Sequence, residues 1–143
     1  MLTIGILGGT GPQGRGLARR LALAGHPVVV GSRSVERAAD TAAAIGVSGV
    51  TGGSNLDAAA ADLVIVTVPY EGHADLLASL ARPLAGKIVV DCVNPLGFDS
   101  QGPYALAVAD GSAAQEAQRI LPDSTVVAAF HHVSAVRLED PEI

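Results

Sequence analysis

At 143 residues, 49% of them hydrophobic, the chain can bury a sizeable core and reads as one globular domain, residues 1–143. A net charge of −5, with two Tyr, two Phe and no Trp, excludes a general binder of nucleic-acid backbone and a stacking platform for single strands. The single cysteine, Cys92, closes no intramolecular disulfide and no metal cluster, which suits a reducing cytoplasm. No apolar run nears the ~20 residues of a membrane span, and no basic segment precedes the first apolar run as in a secretory signal.

Leu2 to Leu7 reads as a buried strand. It leads into Gly8-Gly9-Thr10-Gly11-Pro12-Gln13-Gly14, in which Gly9-x-Gly11-x-x-Gly14 has the dinucleotide-binding spacing. One glycine allows a tight turn, one lets backbone approach a pyrophosphate, and one lets helix pack on strand. The phosphates then meet unpaired N–H groups at the positive end of the helix that follows. That helix is expected from Pro12 to Ala24, with Leu17, Leu21 and Ala24 facing the sheet and Gly25 just past its end. The first acidic residue is Glu36, so Arg15, Arg19, Arg20 and Arg33 make the N-terminal quarter locally positive. Arg33 is expected to attract an anionic cofactor, and Arg19 and Arg20 to solvate a helix face.

Val28 to Val30 is the second strand, continuous and β-branched as in a parallel strand covered on both faces. It ends in Gly31-Ser32-Arg33-Ser34, with Arg37 one helical turn on. Enzymes for NAD usually place a carboxylate here for the ribose hydroxyls, whereas a 2′-phosphate wants arginine and hydroxyl donors. Ser32, Arg33 and Arg37 therefore favour NADP(H). Ser34 also suits an N-cap for a helix from Val35 to Ile45, and the two roles are compatible.

Val47 to Thr51 reads as a third strand, Asn55 to Ala61 as a short helix and Asp62 to Val68 as a fourth strand ended by Pro69. Val68 and Pro69 lie at the carboxyl edge of the sheet, where such folds bind ligands. His73 opens a helix expected over Ala74 to Ala81; a surface histidine there is a more ordinary reading than a cofactor contact. Lys87 to Val90 is the fifth strand. Val93 to Gly111 shows no periodicity and reads as a flap near the substrate, with a surface excursion as the alternative. Ser112 caps a helix to Leu121, with Gln115 at the capping-box position. Thr125 to Ala129, the sixth strand, delivers Phe130-His131-His132-Val133-Ser134-Ala135 to the same edge. Adjacent histidines on an extended segment point in opposite directions, which argues against a shared metal. The alternation of strands and helices predicts an α/β fold: a Rossmann-like, doubly wound, mostly parallel sheet of about six strands with helices on both faces.

The glycine loop, Gly31-Ser32-Arg33, Val68-Pro69-Tyr70-Glu71, Val93-Asn94-Pro95-Leu96 and Phe130-His131-His132-Val133, taken in order, resemble the NADPH-dependent reductases of coenzyme F420, a 5-deazaflavin hydride carrier. The resemblance runs essentially the whole length. It implies reversible hydride transfer between NADP(H) and the deazaflavin, in a cytoplasmic homodimer. It places the pyrophosphate on Thr10, Gly11, Pro12 and Gln13, and the 2′-phosphate on Ser32, Arg33 and Arg37. Val68, Val93 and Ala135 would line the nicotinamide side, with Pro69 and Asn94 beside them, and His131 and Val133 would touch the deazaflavin. Such chemistry resides in the two cofactors, and no nucleophile, acid–base pair or metal is expected of the protein. Members of that family continue into a C-terminal segment that helps form the deazaflavin cleft and the dimer, whereas this chain stops at Ile143. NADP binding should then survive better than deazaflavin reduction.

Two rivals stand beside this reading. One is an NADP-dependent reductase of another small substrate. Tyr70 and Tyr104 are not followed by lysine in Tyr-x-x-x-Lys, and the C-terminal helical domain of the hydroxyacid and pyrroline reductases is absent. The other is a non-catalytic NADP-binding or assembly module, which would bind NADPH without oxidising it.

Overall fold

The computed structural model describes residues 1–143. Six strands form one sheet: β1 (Ile4–Leu7), β2 (Val28–Ser32), β3 (Val50–Ser54), β4 (Leu63–Val66), β5 (Ile88–Asp91) and, after a separate hairpin of β6 (Leu96–Asp99) and β7 (Gly102–Ala105), β8 (Thr125–Ala128). Their order is β3-β2-β1-β4-β5-β8, and every pairing in the sheet is parallel. The chain winds outward from β1 to one edge and then from β4 to the other. The switch point lies between β1 and β4, where Ile6 pairs with Ile65.

Successive residues of the central strands feed opposite faces, as the pleat requires. Leu7, Val64, Val66 and Val89 pack into one buried cluster, and Ile4, Ile6, Ile65 and Val90 into the other. The helices α4 (His73–Ser79), α5 (Ala81–Leu84) and α6 (Ala113–Ile120) reach the first cluster through Leu77, Leu84, Ala113 and Ala117. Leu17, Ala18 and Ala22 of α1 (Pro12–Leu23) fill the second. The helix α2 (Val35–Ile45) and the short α3 (Asn55–Ala59) cover the strands on the β3 side. Burying both faces of a parallel sheet explains its unbroken aliphatic runs.

Several boundaries differ from the expectation. Ala24 is exposed; Ala18 and Ala22 face the sheet instead. The third strand is Val50–Ser54, three residues later than Val47–Thr51, and it runs through Gly52. A Cβ on Gly52 would lie 2.3 Å from the Ala38 carbonyl carbon, so glycine lets α2 lie directly on the strand. Val93 to Gly111 is not structureless, because β6 and β7 pair antiparallel within it, Phe98 opposite Pro103.

A last helix, α7 (Ala135–Glu139), was not expected. It packs on α1 where Gly16 leaves room for Leu138. Arg20 does not merely solvate a helix face. Its guanidinium donates to the carbonyls of Leu138 (2.9 Å), Arg137 (2.9 Å), Asp140 (2.6 Å) and Ile143. Arg15 pairs with Glu139 at 2.6 Å and donates to Thr10 O at 2.9 Å. Arg19 turns its Nε into the protein, where it has no hydrogen-bond partner.

Candidate functional site

Gly14 is the first buried residue of α1, and it sets how that helix meets β1. A Cβ there would lie 2.5 Å from Gly9 Cα and 2.7 Å from the Gly9 carbonyl carbon, so the helix start rests directly on the loop backbone. Gly9 N–H donates to Gly31 O at 2.9 Å and Gly8 N–H to Asn55 Oδ1 at 3.0 Å. Gly11, the N-cap, offers no side chain to the N–H groups of the first turn, and the space beyond its missing Cβ is open. The result is a fixed backbone cradle at the positive end of a helix.

The cradle forms one wall of a cavity of about 760 Å³, through Thr10, Gly11, Pro12 and Gln13. The end of β2 forms the second wall, with Ser32, Arg33, Ser34 and Arg37. Neither Arg33 nor Arg37 has an ion-pair partner. Ser34 Oγ accepts from Arg37 N–H at 3.2 Å, so its capping role and its place on the cavity coexist. The third wall comes from the segment after β4: Thr67, Val68 and Pro69, then Glu71, Gly72 and Leu76. The size is that of a cofactor site, and the place is the switch point outside the strands' carboxyl ends. Backbone donors for phosphates, with two arginines and two hydroxyls in place of a β2-end carboxylate, fit a dinucleotide bearing a 2′-phosphate.

Gly9 and Gly14 thus lie beneath the cavity rather than on it. Val93, Asn94, His131, Val133 and Ala135 form a second group. Val93 is buried in the core and does not line the cavity. Asn94 donates to His131 O at 2.8 Å, and Gln13 to Phe130 O at 3.3 Å, so the loop after β8 is tied to the β5 end and to the glycine loop. Phe130 sits at φ +64°, in the left-handed region that costs a non-glycine residue free energy. His131 is half-buried and engaged through its carbonyl, while His132 and Val133 are exposed. Ala135 is the first residue of α7, capped by Ser134.

Asn55, Thr67 and Glu71 are site residues that sequence reasoning passed over. Asn55 and Thr67 hold the loop, the latter donating to Leu7 O and Gly8 O at 3.0 and 3.3 Å. Glu71 is the one carboxylate on the cavity wall. His73 is neither a surface residue nor a cavity residue: it is fully buried, against Asp91 and Glu116. Burial pushes the Cys92 thiol up to about 12, with Asp91 adding to the rise, so it stays protonated and is no nucleophile. No three His, Cys, Asp or Glu side chains gather as a metal site, and no helix is long and apolar enough to cross a membrane.

A parallel sheet wound in this order, with a phosphate cradle at its switch point, defines a Rossmann-type dinucleotide-binding protein. Residues 3–95 match the model of the family described as NADP oxidoreductase, coenzyme F420-dependent. The chain therefore belongs to that family. It is 39% identical to the F420-dependent NADP reductase of Methanothermobacter marburgensis, an alignment covering 97% of this chain and 67% of that protein. It is 38% identical to the F420-dependent NADP reductase of Methanothermobacter thermautotrophicus, covering 96% and 64%. The crystal structure of a candidate F420-dependent NADP reductase from an Arthrobacter species superposes with a TM-score of 0.82 at 31% identity, covering 95% of this chain and 65% of that one. The chain thus spans about two thirds of the length of these relatives.

Proposed function

We propose that this chain is an oxidoreductase that moves hydride between NADP(H) and the deazaflavin coenzyme F420. The observation that carries the reading is the second wall of the cavity: Ser32, Arg33, Ser34 and Arg37 stand where an NAD site places its carboxylate. In this reading Thr10, Gly11, Pro12 and Gln13 hold the pyrophosphate, with Gly9 and Gly14 shaping the cradle. Ser32, Arg33 and Arg37 hold the 2′-phosphate, and Val68 and Pro69 exclude water from the third wall. Val93, Asn94 and Ala135 border the nicotinamide from the acceptor side, and His131 and Val133 touch the deazaflavin. When bound, the two cofactors supply the hydride donor and acceptor, and the protein's part is to bind, orient and exclude water. That Cys92 stays protonated and His73 is locked in an ion pair accords with a site that needs no nucleophile or mobile proton.

Residues 1–143 act in this reading as one NADP-binding unit of a cytoplasmic homodimer. The lone reduced cysteine and the exposed apolar side chains of Phe98, Tyr104, Val133 and Val136 support those two points.

The test mixes purified chain with NADPH and oxidised F420 and follows loss of the deazaflavin's visible absorbance, alongside titrations of NADPH and NADH. Bleaching with NADPH preferred over NADH supports the reading. NADPH binding without bleaching leaves a dinucleotide-binding module, and equal affinity for NADH removes the role given to Arg33 and Arg37.

A further inference from the structure

A buried ionic cluster stands behind the third wall of the cavity and has no part in the hydride-transfer reading. His73 opens α4, Asp91 ends β5, and both side chains are 0% exposed. His73 Nε2 lies 2.6 Å from Asp91 Oδ2, and Nδ1 lies 3.4 Å from Glu116 Oε1 on α6. The Tyr70 hydroxyl donates to Glu116 Oε2 at 3.2 Å, and its ring stacks on the imidazole with centroids 5.9 Å apart. These are the titratable groups that face His73: Asp91 from β5, Glu116 from α6 and Tyr70 from the turn into α4. A neutral imidazole carries one N–H and can serve one carboxylate, whereas an imidazolium donates to both. Burial alone would lower the His73 pKa. The hydrogen bond and charge of Asp91, with those of Glu116, outweigh it and hold the ring above its ordinary value.

The cluster adds a polar link between two parts of the molecule that also share the buried core, through Leu77 of α4 and Val93. On one side, α4 and the turn before it put Glu71, Gly72 and Leu76 on the cavity wall. On the other, Asp91 Oδ1 accepts from Val93 N–H at 2.9 Å and so fixes the start of the segment whose Asn94 grips the His131 carbonyl. We infer that His73 is a positioning residue: its charged ring, pinned between Asp91 and Glu116, sets the spacing between the dinucleotide wall at α4 and the 91–94 segment on the acceptor side. The naming of those two sides rests on the proposed function. Glu116 is the partner able to let go. Its side chain is 14% exposed against 0% for Asp91, so loss of the proton breaks the Glu116 contact first and leaves α4 and α6 joined by Leu77, Ala113 and Ala117.

The experiment uses the full chain, isotopically labelled, without added cofactor, and follows the four histidine rings and the backbone amides by NMR from about pH 5 to pH 9. Glu116→Gln, which keeps volume and an acceptor oxygen but removes one anion, is run beside it. His73 is expected to titrate above the ~6.5 of a free histidine, with the amides of Gly72, Val93 and Asn94 moving at the same midpoint. Glu116→Gln is expected to lower that midpoint, since the Glu116 hydrogen bond and charge help to raise it. A His73 midpoint in the ordinary range, or amides silent through its titration, overturns the inference, and neither outcome requires the variant. Turnover gives a second readout: kcat should fall roughly 10- to 100-fold as the pH passes that midpoint, with little change in the KM for NADPH. A chain that binds NADPH but bleaches no F420 removes the hydride-transfer reading and leaves the NMR titration to decide the clamp.

Discussion

Residues 4–76 build a cavity whose walls are each held by another element, whereas residues 96–136 carry apolar side chains out to solvent. On the dinucleotide side Gly14 rests on Gly9, the Asn55 carboxamide holds Gly8, and the Thr67 hydroxyl holds the carbonyls of Leu7 and Gly8. Beyond β5, the strands β6 and β7 pair only with each other, and Phe98 is 74% exposed. Under the proposed function the difference follows from what each region would recognise. Phosphate binding by backbone N–H groups depends on a rigid main chain, so that site is made from the core itself. Planar rings are met by apolar surface, which gains its stabilisation only when a ligand or another chain covers it.

Gly14→Val attacks the rigid side most directly and should have the largest effect. The new side chain meets backbone at 2.5 Å, so the cradle must open. Stability should drop by about 1–3 kcal/mol in urea titration, and NADPH binding should fall below calorimetric detection. Retained NADPH affinity would show that the cradle is not the rigid half of the comparison.

Arg33→Ala should come next and should leave the fold intact. Losing a charge-assisted contact of about 1.5–3 kcal/mol predicts NADPH binding weaker by roughly 10- to 150-fold. NADH binding should hardly change. Equal losses for both cofactors would place Arg33 somewhere other than at the 2′-phosphate.

The His73 cluster links the two regions, and pH should loosen it. Burial works against the charged ring, but Asp91 and Glu116 raise its pKa above the ordinary value. The folded chain therefore holds this proton more tightly than the unfolded one. The contribution is complete below the free-histidine pKa and is lost as the pH rises through the raised value. Chemical denaturation across that window should show stability falling with pH, and Glu116→Gln should flatten the slope. A slope unchanged in Glu116→Gln would mean that another group carries it.

Phe98→Ser, on the solvent side, should have the smallest effect on stability, within about 0.5 kcal/mol. Its effect should appear instead in self-association, read by mass in solution, and in the KM for the deazaflavin. A large fall in melting temperature would show that the hairpin is packed more firmly than its exposure implies.

Legibility in the sequence divides along the same line. The glycine loop, the place of Ser32, Arg33 and Arg37 at the end of β2, and the existence of the parallel strands were readable because each depends on neighbours a few residues away. The 96–105 hairpin was hidden because each strand has only four residues, too few for the alternation of Leu96, Gly97, Phe98 and Asp99 to stand out, and Gly102–Ala105 has none and includes Pro103. His73 read as a surface residue because its two partners stand 18 and 43 positions away. Asn55, 47 positions from Gly8, was missed for the same reason.

By itself, then, the sequence determined the order of the six parallel strands and of the longer helices between them, the placing of the glycine loop and the positive character of the β2 end, since hydrophobic period, glycine spacing and local charge are properties of short stretches. Tertiary structure alone decided that Val93 faces the core, that Arg20 gathers the carbonyls of the C-terminal turn, and that one histidine is sealed between two carboxylates. Each of these depends on which distant side chain arrives opposite, and only the closed sheet with its packed helices settles that.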